Sequence, residues 1–232
     1  MAFTSDNWDR RRLLAGLGAG GALLWLAPPA SAQLLGTGLN QLLGKASDGA
    51  LDKLAVPGAF YADPAVRIAV PLLGGGAGKT LGGLLERGRS AGLTDGLTRK
   101  LNDAAGLAAK EAKPVFRAAI SRLSLKDVPG IVKQSDGASQ YLRTSAAPEL
   151  TGKLRPLIDS ALGQVGAFKL LDDLTRSVRL GGVAGLSRDR LGASVTDQAL
   201  NGIFKYIGAE EGKLRADPLK PAGSLLKGIL GN

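Results

Sequence analysis

The stretch "SVTDQALNGIFKYIGAEEGKLRA", residues 194–216, decides the fold. Leu200, Ile203, Phe204, Ile207 and Leu214 recur at steps of three, four and seven, the period of an amphipathic helix. Ser194 stands where an N-cap belongs, and Asp217-Pro218 stops the run. The same period extends upstream. Residues 93–123, "LTDGLTRKLNDAAGLAAKEAKPVFRAAISRL", read as one or two helices with Leu93, Leu97, Leu101 and Leu107 on one face. Pro114 marks a kink there or the first turn of a new helix.

Ser124-Leu125-Lys126-Asp127 has the shape of a capping box opening a short helix. "SDGASQYLRTSA" reads as a helix begun by Ser135 or Asp136. Leu150, Leu154, Leu157, Ile158, Ala161 and Leu162 line another, and "AFKLLDDLTRSVRL" gives the next. "GGVAGLSRDRLGAS" is expected as a loop and "AGSLLKGIL" as a small closing helix. Nearer the start, "LLGTGLNQLLGKASDGALDKLA" predicts two short helices or one broken by Gly and Ser-Asp-Gly, ended by Val56-Pro57-Gly58.

One passage breaks the helical period. In "FYADPAVRIAVP", residues 60–71, Asp63-Pro64 marks a turn and Val66, Ile68 and Val70 alternate. Pro71 and the following glycines leave this segment no obvious partner strand, so an extended arm over helices is the alternative. The fold expected is all-α, a bundle of roughly eight helices with a short extended arm near residues 60–71.

The first residues read as an export signal. Arg10, Arg11 and Arg12 precede a mild apolar stretch over residues 13–27, and Ala30-Ser31-Ala32 supplies the small-x-small cleavage pattern. Cleavage after Ala32 is expected, leaving one helical domain over residues 33–232. Asp9-Arg10-Arg11-Arg12-Leu13-Leu14 is similar to a twin-arginine signal, although three arginines also suit the general secretory route. Either route points to the periplasm of a Gram-negative bacterium, with no integral membrane protein once the signal is gone.

Composition narrows the function. The chain of 232 residues contains neither cysteine nor histidine, which excludes disulfides, thiolate metal sites and both serine–histidine and cysteine–histidine catalysis. Any catalysis must rest on Asp, Glu, Lys, Tyr, Ser or Arg, so a non-enzymatic role without cofactor or metal is favoured. Removing residues 1–32 lowers the basic count from 30 to 27 and the acidic count from 20 to 18, leaving a net charge of +9. Outside the cytoplasm that charge suits an anionic envelope component, a lipid or another periplasmic protein rather than nucleic acid. The charges are scattered, so a solvated basic surface explains them as well.

The passages "DPAVRIAVP", "EAKPVFRAAISRLSLKDVPGIV", "SDGASQYLRTSA" with "LRPLIDSALGQVG", and "VTDQALNGIFKYIGAEEGKLRADP" together resemble a bacterial family known as domain of unknown function 4197. The resemblance spans nearly all of the chain after the signal and implies an exported helical protein, with no activity attached. One departure is local. After the "VRI" segment the family usually carries helix-forming sequence, where this chain has "LLGGGAG".

That departure contains a P-loop lookalike, "PLLGGGAGKT", whose end is Gly78-Lys79-Thr80. A true P-loop needs a glycine five residues before Gly78, where its backbone turns toward the phosphates. Leu73 stands there instead, and no Walker B strand follows. Gly78, Lys79 and Thr80 therefore read as a decoy, and the glycines as a hinge between arm and helical body.

Two candidate binding elements remain. On one helix Asp136, Gln140 and Arg143 fall at i, i+4 and i+7 with Tyr141 beside them, a set able to hold a small polar or anionic ligand. The plainer alternative makes Asp136 a cap, Tyr141 a packing residue and Arg143 a surface ion-pair partner. Arg67 places a charge among apolar neighbours, either to meet a carboxylate such as Glu111 or to point into a groove. Glu210 and Glu211 diverge by about 100° on a helix and read, with Lys213 and Arg215, as a solvated face.

Overall fold

The computed structural model describes residues 30–71, 93–123, 134–177 and 187–216. Among these residues it is all-helical, with six helices rather than eight: α1 Ala30–Leu54, α2 Ala59–Ala62, α3 Leu93–Ser121, α4 Gly137–Gln164, α5 Ala167–Ser177 and α6 Arg188–Ala216. The capping box, the glycine-rich segment with Gly78, Lys79 and Thr80, its proposed hinge and the closing helix lie outside the described residues.

Within the described residues, expected breaks are bridged. Pro114 lies inside α3, and Pro148 and Pro156 lie inside α4. All three prolines are on exposed positions, where the carbonyl each leaves without an N–H partner can bond water. Two expected helices thus merge into α4. The glycines of α1 likewise sit within one unbroken 25-residue helix. At the end of α4 the break is real: Gly166 takes φ +74°, in the left-handed region, and donates its N–H to the Gly163 carbonyl at 3.1 Å. That αL residue turns the chain into α5.

The four long helices form a bundle in which each packs mainly against two others, in the cyclic order α1, α3, α4, α6. Alanine dominates the α3 face that meets them: Leu97, Leu101, Ala104, Ala105, Ala108, Ala109, Ala112 and Phe116 are all buried. Such small side chains let helix axes approach closely. Phe116 meets Phe204 edge-to-face, ring centroids 6.1 Å apart, and joins α3 to α6. Leu107 departs from expectation, being 43% exposed. Six residues beyond Leu101 is about 240° around a helix, off the stripe that Ala104, Ala105 and Ala108 continue.

The extended segment is an arm, preceded by the helical turn α2, so residues 60–62 are helical rather than extended. Val66 and Ile68 face inward, Arg67 and Ala69 outward, as the alternation predicts. Two side-chain amides replace the missing partner strand. Ile68 donates its N–H to Asn102 Oδ1 and accepts from Asn102 Nδ2, both at 2.8 Å. On the opposite edge Ala69 donates to Gln198 Oε1 at 2.9 Å and accepts from Gln198 Nε2 at 3.0 Å. Successive residues of an extended chain point their polar groups to opposite sides. One amide from α3 and one from α6 therefore satisfy a backbone that no strand reaches.

The start of α6 also differs from expectation. It begins at Arg188, and Ser187 Oγ accepts the Arg190 N–H at 3.2 Å, so Ser187 takes the cap position that Ser194 was expected to fill. Ser194 is interior, its Oγ accepting from Gln198 Nε2 at 3.1 Å.

Candidate functional site

α4 and α6 run antiparallel along their contact: Arg155 meets Asp189, Arg143 meets Asn201, and Asp136 abuts Gly208. The arm crosses the other side of α6 in the same reversed sense. Asp63 bonds Tyr206, Val66 lies on Gly202, and Ala69 bonds Gln198. Between these three elements opens a groove of about 770 Å³. From the arm, Ala65, Val66 and Arg67 line it. From α4 and the residues before it come Ser135, Asp136, Ser139, Gln140 and Arg143. From α6 come Gln198, Asn201, Gly202, Phe204, Lys205, Gly208 and Ala209.

Four of the five residues singled out from sequence, Arg67, Asp136, Gln140 and Arg143, share this groove. Tyr141 does not. It is half-buried and packs against the core, because five residues beyond Asp136 is about 140° around the helix. Gln140 Nε2 donates to Asp136 Oδ1 at 2.9 Å. Arg143 donates to Asn201 Oδ1 at 2.5 Å, and its guanidinium lies 5.7 Å from the Phe204 ring centroid. Arg67 donates through Nε to the Tyr61 carbonyl at 2.6 Å, its guanidinium 4.7 Å from the Tyr61 ring centroid. It makes no pair with Glu111 among the described residues.

The arginines around the groove differ from most of the other described arginines. Arg99, Arg117, Arg122, Arg155, Arg176, Arg188 and Arg215 each salt-bridge a carboxylate. Of the other described arginines, Arg67, Arg143 and Arg190, two line the groove. Lys205 joins them with no carboxylate in salt-bridge distance among the described residues. Three cationic residues therefore line one recess in which Asp136 is the one lining carboxylate, with Asp63 near enough for Lys205 and Arg67 to help lower its pKa. Sequence reasoning passed over Lys205 and Asn201. Their only signal was Gln198, Asn201 and Lys205 at steps of three and four, a spacing shared with any solvent-facing stripe.

Asp136 occupies the N-cap position of α4, yet its side chain makes no capping hydrogen bond. The cap comes from another helix. Glu211, fully buried, accepts the Ala138 N–H at 3.1 Å, the Ser139 N–H at 2.7 Å and the Ser139 hydroxyl at 2.5 Å. Arg215 donates to the same carboxylate from Nε at 2.8 Å and from a terminal nitrogen at 2.5 Å. This overturns the solvated-face reading of the two glutamates. Glu211 holds the start of α4, and its occupied oxygens leave no base aimed at the groove. Glu210, with its side chain only 16% exposed, salt-bridges Lys53 on α1 and Lys213.

These contacts set the pH response. Burial pushes the Glu210 carboxyl up, but the Lys53 and Lys213 ammonium groups outweigh it and hold its pKa below the usual range. Asp63 is also depressed, by the Ala65 backbone N–H and then by the Tyr206 hydroxyl. Stability from a depressed carboxylate is present above its unfolded pKa and lost as pH falls through the folded one. Tyr206 is raised, by burial and by its bond to Asp63, so its share is lost as pH rises through its folded pKa. With no histidine to titrate, stability is expected to be flat between about pH 5 and pH 8, falling below about pH 4 and above about pH 10. Chemical denaturation across that range measures it, and a sigmoidal step near about pH 6.5 would contradict it.

Among the described residues the fold is all-helical, with an open, net-basic groove of mixed polar and apolar lining at its side. The family model described as a protein of unknown function (DUF4197) matches residues 30–231, and the chain belongs to that family. No curated protein and no solved structure matches it. Among the described residues no helix is long and apolar enough to cross a membrane.

Proposed function

We propose that this chain is an exported, non-enzymatic binding protein of the bacterial envelope, whose groove takes an anionic group of an envelope component or a partner protein. The observation that carries the reading is the trio Arg67, Arg143 and Lys205, which line one recess without a salt bridge among the described residues, while most other described arginines are salt-bridged. Desolvating these cations costs little at an open groove, and an incoming anion gains charge-assisted hydrogen bonds from two guanidinium forks. A lipid chain is less well served. The larger apolar lining residues, Val66 and Phe204, are already buried in the core. An enzymatic role finds no support at the groove, where the nearest buried carboxylate is committed to the α4 cap.

Titrating the purified protein with succinate tests the anion site. Arg67→Gln with Arg143→Gln should weaken binding roughly a hundredfold if each guanidinium contributes a charge-assisted bond. Equal binding by the double variant would sink the reading.

Export is supported by the family match beginning at residue 30, beside the expected cleavage point after Ala32. Arg10→Lys with Arg11→Lys should abolish export by the twin-arginine route, which requires the arginine pair, while a general secretory signal tolerates lysine. Cell fractionation separates the outcomes. The exported form should begin at Gln33 by N-terminal sequencing; a retained leader would contradict the cleavage.

A further inference from the structure

Arg143 is held in a way that sets it apart from most of the other described arginines. Arg99, Arg117, Arg122, Arg155, Arg176, Arg188 and Arg215 are fixed by carboxylates, which neutralise them. Arg143 is fixed by uncharged groups. Asn201 Oδ1 accepts from one of its terminal nitrogens at 2.5 Å, and the Phe204 ring centroid lies 5.7 Å from the guanidinium. Phe204 is itself buried and set edge-to-face on Phe116, so it gives the guanidinium a rigid backing. Arg67 is also held by an uncharged oxygen and a ring, both of Tyr61, but its charge reaches Asp63 and Asp95. Lys205 likewise acts on Asp63. Arg143 has no carboxylate in salt-bridge distance among the described residues, and Asp197, one turn before Asn201, makes no ion pair with it.

The choice of an amide has a chemical consequence. Aspartate has the shape of asparagine and bonds a guanidinium more strongly, but it also neutralises the charge. The amide fixes Arg143 and leaves that charge for a ligand. A guanidinium is a planar fork of N–H donors, and Asn201 takes one hydrogen of one terminal nitrogen. A full edge with a pair of N–H groups remains, which matches both oxygens of one carboxylate. Asn201 lines the groove too, and its Nδ2 has no acceptor among the described residues, so it adds a further donor beside that edge. A doubly charged anion is less well served. Asp136 lines the same recess and Asp63 lies close to Lys205, so a second negative charge meets repulsion.

We infer that Arg143 receives a single carboxylate in this groove, and that Asn201 is the positioning residue that makes this possible by orienting the guanidinium without neutralising it. The inference rests on the anion-binding reading above. It adds the ligand class and a residue that sets the selectivity.

Titrating the purified protein with succinate, monomethyl succinate and inorganic phosphate, followed by NMR, tests it. Monomethyl succinate, with one carboxylate, should bind as tightly as succinate, and phosphate more weakly. Both comparisons are read on the unaltered protein and do not depend on a variant folding. Asn201→Asp should keep or raise Tm and weaken succinate binding roughly tenfold, the loss of one charge-assisted contact. Asn201→Ala should weaken it less, because the charge remains and only its orientation is lost. In the Arg143→Gln background Asn201→Asp should weaken binding no further, an outcome that a merely structural asparagine would not produce. Succinate bound by the Asn201→Asp variant as by the parent, equal losses with Asn201→Ala and Asn201→Asp, or phosphate bound more tightly than succinate would overturn the inference. Should Arg67→Gln with Arg143→Gln abolish binding while Asn201→Asp leaves it intact, anion binding stands and the role of Asn201 falls. No anion bound by the parent removes both.

Discussion

Glu211→Ala is expected to lower stability by about 3–5 kcal/mol, the range for removing one partner of a buried ion pair. Two losses combine. The Ala138 and Ser139 N–H groups at the start of α4 lose their acceptor, and both residues are buried, so water does not readily replace it. Arg215, its side chain only 11% exposed, keeps its charge without the carboxylate beside it. For a domain near 200 residues this corresponds to a fall in Tm of about 10 °C. Glu211→Gln should fall in between, since its amide oxygen still accepts a helix N–H while its amide nitrogen faces Arg215. The adjacent Glu210→Ala removes partly exposed salt bridges and should cost about 1 kcal/mol or less. Equal effects at the two glutamates, measured by thermal and chemical denaturation, would contradict the division of roles.

Gly202→Leu should lever the arm off α6. A Cβ at Gly202 would lie 3.2 Å from both Phe60 Cε1 and Val66 Cβ, so even alanine asks its neighbours to move by a few tenths of an ångström. For Gly202→Ala the better helix propensity, worth about 1 kcal/mol, offsets that strain, and stability should stay near the parent's. The rest of a leucine side chain has nowhere to go on that face. Overpacking of this kind costs about 1–3 kcal/mol. The functional loss should be larger than the stability loss. Displacing Val66 moves Arg67 out of the groove and breaks the register in which Asn102 and Gln198 hold Ile68 and Ala69. Gly202→Leu should therefore fold and lose most anion binding, read by circular dichroism beside succinate titration. Full binding by a folded Gly202→Leu would show that the arm does not build the site.

Periodicity made the helical class legible, and its exceptions have physical causes. Pro114 reads from sequence as a kink or the first turn of a new helix because an interior proline removes a hydrogen bond, but Pro114, like Pro148 and Pro156, sits where water can supply the partner. Exposure of a helix face is a tertiary property that one-dimensional spacing does not carry. The arm was legible as an extended segment from Val66, Ile68 and Val70, while its partners were not. Asn102 and Gln198 are single amides on two distant helices, and nothing in their local sequence marks them as strand substitutes.

The candidate site was legible in halves. Asp136, Gln140 and Arg143 form a helical face by spacing alone, and Arg67 was conspicuous as a charge in an apolar run. That both belong to one recess depends on how α4 and the arm flank α6, a contact between segments some seventy residues apart. The capping role was misassigned for the same reason. Asp136 is the local candidate by residue type and position, yet the acceptor that caps α4 is Glu211, more than seventy residues away.

On the proposed function, the recess between arm, α4 and α6 is where this protein meets an anion. Amide-resolved NMR during titration with succinate tests it most directly. Shifts should cluster at residues 65–67, 139–143 and 198–209, and be absent when Arg67 and Arg143 are both changed to glutamine. Shifts centred instead on Arg190 or on the lysines of other faces, or a pattern unchanged in the double variant, would contradict it.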